Sequence, residues 1–192
     1  MAADPGGGPS DEELMRRLQD GEDAALAQLM ERWELRVRRF IFRIVGNPAD
    51  ADDLAQEVFV RVYAKRASYH PGAKFSSWCF AIAANQARNR LRWWRRRPEL
   101  SLEAWAETGG ELADGSAGGA PAQAAEKRER VAAVRAAVAA LPVEWRTALV
   151  LFEYEGLAIA EIGAALACTP KAVENRLYRA RQRLKAVLAV TD

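Results

Sequence analysis

Residues 168–185 read CTPKAVENRLYRARQRLK. Thr169 followed by Pro170 is a helix start: a hydroxyl that caps free amides, then a ring that needs no amide partner at the first position. Val173, Leu177, Ala180, Leu184 and Val187 recur at helical spacing and predict a stripe facing a core. Lys171, Glu174, Asn175, Arg176, Tyr178 and Arg179 are left on the outside. The preceding IAEIGAALA reads as a short helix, and ACTP as a tight turn between the two. Helix, turn and basic helix in this order predict a helix-turn-helix. The start of its second helix would enter the major groove, where Arg and Asn bond base edges in bidentate fashion. A solvated amphipathic helix would also carry the charges, but the turn, the caps and the short first helix favour DNA contact.

Upstream, helices at about 126–140 and from Pro142 to about Glu155 complete this half. The stretch before it, from residue 98 to about 126, is rich in glycine and alanine, lacks an apolar face, and predicts a flexible linker. Its acids are Glu99, Glu103, Glu107, Glu111 and Asp114, and no base accompanies them as far as Ala125.

The N-terminal half begins after a stretch, 1–9, that reads as disordered. SDEE at 10–13 has the form of a capping box. Leu26, Leu29, Met30, Trp33, Val37, Phe40, Ile41 and Ile44 predict one long amphipathic helix, stopped by Gly46-Asn47-Pro48. A second helix spans about 49–65 and ASYHPGA a loop. A third starts near Ser76 or Ser77, buries Trp78, Ile82 and Leu91, and runs into RNRLRWWRRR. The expected fold is all-α: two small helical domains joined by a flexible acidic linker, the second ending in a helix-turn-helix.

Composition agrees. The 192 residues are 50% hydrophobic and 28% charged, dominated by helix formers, with room for one ordinary domain or two small ones. No segment approaches the roughly 20 apolar residues of a membrane span, and the acidic start lacks the apolar core of a secretory signal. Cys79 and Cys168 form no CxxC pair, which points to neither disulfide nor metal. These features predict a cytoplasmic protein without membrane insertion. Net charge is only +2, but it is segregated: Lys74 to Arg97 is wholly basic, the linker wholly acidic, the last helix basic again. Separate charge blocks present separate faces to separate partners.

Two further groups carry chemistry. Asn85 and Asn89 share a helix face, followed by Arg88, Arg90, Arg92, Trp93, Trp94 and Arg95–Arg97. Arginines bind phosphate, and exposed rings stack on unpaired bases; a tryptophan pair completing a core is the plainer reading, and for Trp94 a fair one. In DADDLAQEVFVRVY, 50–63, Asp52, Asp53, Gln56 and Glu57 lie on the polar side of a helix. Paired carboxylates invite a metal or acid–base role, and with it a phosphoryl- or nucleotidyl-transfer enzyme. The only histidine, His70, sits in a loop, and no glycine-rich phosphate cradle is present, so an acidic protein-docking face is the better expectation. No enzyme activity, cofactor or metal is expected.

Three segments in order resemble the extracytoplasmic-function group of bacterial RNA polymerase sigma factors. DADDLAQEVFVRVY resembles region 2.2, FSSWCFAIAANQARNRLRWWRRR regions 2.3 and 2.4, and ALPVEWRTALVLFEYEGLAIAEIGAALACTPKAVENRLYRARQRL region 4. The resemblance implies a region 2-like domain at 10–97, a linker at 98–126 and a region 4-like domain at 127–190. It implies an initiation factor that binds core polymerase, through clamp helices of the largest subunit and the flap, and that reads and melts promoter DNA. On that pattern Asp52, Asp53, Gln56, Glu57 and Phe59 dock on polymerase. Asn85 and Asn89, with the loop from Ser68 to Lys74 and the phosphate-binding Arg88 and Arg92, capture a flipped base of the minus-ten element. Lys171, Asn175, Arg176, Tyr178 and Arg179 read the minus-thirty-five element. An anti-sigma partner is implied too.

Glu174 departs from the family, which usually has a base there. It would favour the helix N-terminus or accept a bond from a cytosine amino group; both readings stand at this point. The rival function is a stand-alone helix-turn-helix regulator that binds operators without polymerase.

Overall fold

The computed structural model describes residues 8–96 and 121–189, with side chains from 129 onward in the second segment. Of the stretch 1–9 that reads as disordered, 1–7 fall outside these residues, whereas Pro9 is held in place, its carbonyl accepting from Arg32 at 2.8 Å; of the linker, 98–120 fall outside as well. Every regular element among the described residues is helical: α1 Asp11–Gln19, α2 Ala24–Val45, α3 Pro48–Ala64, a 3-10 turn Arg66–Ser68 and α4 Phe75–Arg95 form the first half. The second half comprises α5 Pro121–Ala139, α6 Val143–Glu153, α7 Ile159–Ala165 and α8 Pro170–Leu188. No described helix is long and apolar enough to cross a membrane.

The N-terminal segment is two helices rather than a single entry into α2. Ser10 caps α1 as expected, accepting from the Glu13 amide at 3.1 Å. Glu13 does not reach back to complete the box; its carboxylate takes Arg16 at 2.7 Å and Arg17 at 3.1 Å. Those bonds hold it at a pKa of about 2. The chain then breaks at Gly21, in the left-handed region at φ 97°, so that α1 folds back across the bundle. The apolar periodicity runs through this break, which is why the sequence reads as continuous. Folding back lets Glu12 accept from the Phe75 amide at 3.0 Å, capping α4 from outside. It also lets Asp11 accept from the Trp33 indole at 2.8 Å.

α2 ends where the sequence places it. Gly46 adopts φ 79°, its amide closing on the Phe42 carbonyl, and Asn47 caps α3 by accepting from the Asp50 amide at 3.0 Å. α2, α3 and α4 pack on one another around Phe40, Ile41, Val58 and Phe80, all fully buried. Trp33 meets Phe75 and Phe80 edge-on at 5.4 and 5.8 Å between centroids. Trp94 is buried, whereas Trp78 and Leu91 are only partly so.

α5 starts at Pro121, inside the stretch that reads as linker. Proline suits a first helical turn, and AQAAEK after it consists of strong helix formers. In the second half α8 packs on α6 and α7. Its Val173, Leu177 and Ala180 are buried as the stripe requires, but Val187 stays exposed beyond the end of the core.

The two halves are in contact. α4 packs on α7 and α2 on α6, and buried residues of both halves form one continuous apolar cluster.

Candidate nucleic-acid and protein-docking surfaces

α8 is set by its own caps. Thr169 accepts from the Ala172 amide at 3.2 Å, and the turn before it closes as the Cys168 amide donates to the Gly163 carbonyl at 2.9 Å. With Val173, Leu177 and Ala180 held in the core, Lys171, Glu174, Asn175 and Tyr178 share the outer face at steps of three and four. Tyr178 is 65% exposed. Arg176 is half-buried and donates to the Cys168 sulfur at 3.3 Å. Arg179, itself exposed, has its guanidinium 5.9 Å from the centroid of the Trp145 ring. Further along, Arg181 pairs with Glu153 at 2.8 Å.

Glu174 binds Lys171 at 2.8 Å, which raises the Lys171 pKa. Both are exposed, so solvent screens the pair and it adds little to stability. Its effect is positional: it ties one cation of the outer face to its own helix.

α4 presents a second basic face. Asn85 and Asn89 are exposed one turn apart, with Arg88 and Arg92 on the same side and Asn85 accepting from Arg88. Lys74, which precedes the helix, lies eleven residues back from Asn85, about 16 Å along the axis. It is therefore at the other end of α4 and not in the asparagine patch.

On α3, Asp52, Asp53, Gln56 and Glu57 face solvent. Asp52 pairs with Arg38 of α2 at 2.8 Å. Phe59 does not join this face: only 2% exposed, it packs in the core. The helical turn that brings Ala55, Phe59 and Tyr63 to one side directs that side inward, so Phe59 supports the docking face from beneath.

The α3 and α4 surfaces meet. An open groove of about 530 Å³ is lined by Glu57 and Arg61 of α3 and by Gln86, Asn89, Arg90 and Trp93 of α4. Gln86, nearly buried, donates to Glu57 at 2.5 Å. Arg90 pairs with Asp50, whose burial pushes its pKa up while Arg90 pulls it down. The Asp50 and Gln86 contacts escaped the sequence reading, because each partner lies on a different helix and no local pattern joins them. They fix the rotation of α4 against α3, and so the angle between the acidic face and the asparagine face.

Comparison with known proteins adds two family matches, two relatives and one solved structure. The Sigma-70 region 2 family matches residues 29–97, and the Sigma-70 region 4 family matches residues 132–184. RNA polymerase sigma-H factor of Pseudomonas aeruginosa is 31% identical over 182 residues, covering 93% of each chain. ECF RNA polymerase sigma factor SigE of Mycolicibacterium smegmatis is 35% identical over 186 residues, 94% of this chain and 70% of the relative. The fold is similar to that of RpoE from Bartonella quintana, solved with the anti-sigma factor NepR. There the TM-score is 0.63 at 22% identity, over 86% of this chain and 98% of that one.

Proposed function

The chain belongs to the extracytoplasmic-function group of RNA polymerase sigma factors, and from that premise we propose how its surfaces divide the work. The protein binds core RNA polymerase and directs promoter-specific initiation; sigma factors as a group act without catalysis of their own. A stand-alone operator-binding regulator is not favoured, because both halves match sigma regions, in order.

The exposed acids of α3, Asp52, Asp53 and Glu57, with Gln56, dock on the polymerase clamp helices. Asn85 and Asn89 of α4, with Arg88 and Arg92, capture the minus-ten strand, and the Ser68–Lys74 loop assists. Lys171, Asn175, Arg176, Tyr178 and Arg179 of α8 read the minus-thirty-five element. Phosphate contacts supply salt-dependent affinity and base contacts supply choice. An anti-sigma factor, of the kind found with the Bartonella quintana protein, restrains this one as well. The domain limits we assign are region 2 to residues 10–97 and region 4 from Pro121 to 190. The observation that supports this division is the placement of the acidic and asparagine faces on adjacent helices locked by Glu57–Gln86 and Asp50–Arg90.

The test is transcription by core polymerase on fragmented genomic DNA, with start sites mapped. Asp52→Lys with Asp53→Lys is expected to weaken core binding at least tenfold, about 1.4 kcal/mol. Asn85→Ala with Asn89→Ala should keep core binding and lose the starts. Loss of core binding in the asparagine variant would refute the division.

Glu174 has its own expected outcome. Glu174→Gln frees Lys171 for a phosphate, so duplex affinity rises and the plot of log K against log salt steepens by about 0.9. A titration series over salt concentration measures this. An unchanged slope would mean that Lys171 does not reach the backbone.

A further inference from the structure

The Ser68–Lys74 loop is gripped at both ends by α1. Gln19, the last residue of that helix, donates its side-chain amide twice, to the Arg66 carbonyl at 2.8 Å and to the Tyr69 carbonyl at 2.9 Å. Near the other end of the same helix, Glu12 accepts from the Phe75 amide at 3.0 Å, one residue beyond Lys74. Between these points Tyr69 closes the loop on itself. Only 3% exposed, it meets Trp78 of α4 edge-on at 5.3 Å between centroids, and its hydroxyl donates to the Ala73 carbonyl. Burial, then the Glu12 and Asp11 carboxylates, push the tyrosine pKa up to about 12, so the hydroxyl keeps its proton. The Ala73 amide donates to the His70 carbonyl at 3.1 Å, and Gly72 makes the reversal at φ 94°.

The bonds from Gln19, Glu12 and the Tyr69 hydroxyl all end on backbone groups. The side chains at the loop's tip are left outward: His70 is exposed, and Lys74 stays 69% exposed even in its pair with Glu161 at 2.7 Å. A loop fixed through its main chain keeps its shape without using the groups that would meet a nucleotide. Such a loop is already ordered when a base arrives, whereas a slack one must be ordered at that moment. The difference falls on the choice between bases more than on the hold on the strand. Phosphate contacts tolerate a displaced loop, and base-edge contacts do not.

We propose that α1 is a brace that preforms the minus-ten loop, and that Gln19 is its positioning residue, fixing base choice without itself touching DNA. Glu12 and Tyr69 complete the frame. This rests on the minus-ten role proposed for the loop.

The experiment uses the full chain and Gln19→Leu, which keeps most of the bulk and removes both donors. Backbone order parameters of Tyr69, His70, Gly72 and Ala73 are measured by NMR relaxation. The parent loop is expected at about 0.85, as rigid as a helix, and the variant below about 0.6. A parent value below about 0.6 overturns the brace, whether or not the variant folds. A variant loop as rigid as the parent's overturns the role of Gln19. Base choice is read with each protein bound to core polymerase. The probes are fluorescein-labelled single-stranded oligonucleotides carrying the minus-ten sequence of the mapped starts, with each position set in turn to all four bases. Gln19→Leu is expected to lower the affinity ratio between the preferred base and the others about fivefold at one position or more. An unfolded fraction lowers every affinity alike and leaves the ratio as it was, so a merely structural role does not give this result. An undiminished ratio overturns the proposal. Should Gln19→Leu fail to fold, Tyr69→Phe decides by the same criterion, since it keeps the ring on Trp78 and loses only the bond to Ala73. His70→Ala with Lys74→Ala separates the two readings. If that variant keeps the full ratio, the minus-ten role of the loop fails and the base choice assigned to Gln19 falls with it, while the order parameters still report the brace.

Discussion

Phe80→Ala lowers the unfolding free energy by about 3–5 kcal/mol, the cost of truncating a fully buried aromatic residue where the surroundings cannot collapse. Phe80 is 0% exposed on α4. Its ring lies 5.1 Å from Phe40 and 5.8 Å from Trp33, both on α2. Those neighbours are fixed by other contacts: Trp33 is tethered through its indole to Asp11 and packed edge-on against Phe75. The cavity therefore stays open. Against a typical total of about 5–15 kcal/mol, the loss leaves the first half marginal. Urea unfolding followed by tryptophan fluorescence measures it, and Phe80→Leu, which keeps most of the volume, should lose far less. A loss below about 1 kcal/mol would show that the α2–α4 seam is not packed as described. Arg36 also lies over the Trp33 ring, at 4.3 Å, so the Arg36–Glu155 pair rests on the same seam.

Gly163→Ala is expected to remove minus-thirty-five recognition while leaving core polymerase binding by the first half in place. A Cβ built on Gly163 falls 2.8 Å from the Cys168 carbonyl oxygen and 3.6 Å from the Pro170 nitrogen. Both are backbone atoms, so no side-chain rotation relieves the contact. Alanine would gain up to about 1 kcal/mol of helix propensity within α7. Overpacking costs about 1–3 kcal/mol, and relief must come from moving the turn. That turn already holds Ala167 at φ 51°, a left-handed conformation costly without glycine. α8 starts two residues after Cys168, so moving the turn re-aims Asn175 and Arg176. We expect at least a tenfold fall in starts at promoters that depend on the upstream element, measured by transcription with core polymerase. Undiminished starts would mean that α8 tolerates a change of angle.

The caps and stripes were legible because they depend on neighbours in the chain. Thr169, Asn47 and Gly46 act on amides and carbonyls within four residues, and the stripe Val173, Leu177, Ala180 follows from helical pitch alone. The break at Gly21 was not legible, since apolar periodicity on either side gives no sign that the axis turns. Phe59 shows the limit of carrying a role by motif: its position in DADDLAQEVFVRVY fits the docking pattern, while its helical phase puts it among Ala55 and Tyr63 on the inner side. The beginning of α5 is hidden because alanine-rich composition runs on past Pro121 without an apolar face.

Glu174 and Glu161 divide the two kinds of information. Glu174 meets Lys171 three residues away, so the sequence holds everything needed for that pair. It also determined by itself that the chain is all-helical, that it ends in a helix-turn-helix, and that acidic and basic faces are segregated, because each depends on local spacing and composition. Which cations those acids meet across the molecule was decided only by the tertiary structure. Glu161 reaches Lys74, Glu155 reaches Arg36, and Arg146 reaches Ile44 because α6 and α7 lie against α2 and α4. Long-range electrostatic pairing follows from how helices pack, and no periodicity along the chain encodes the partner.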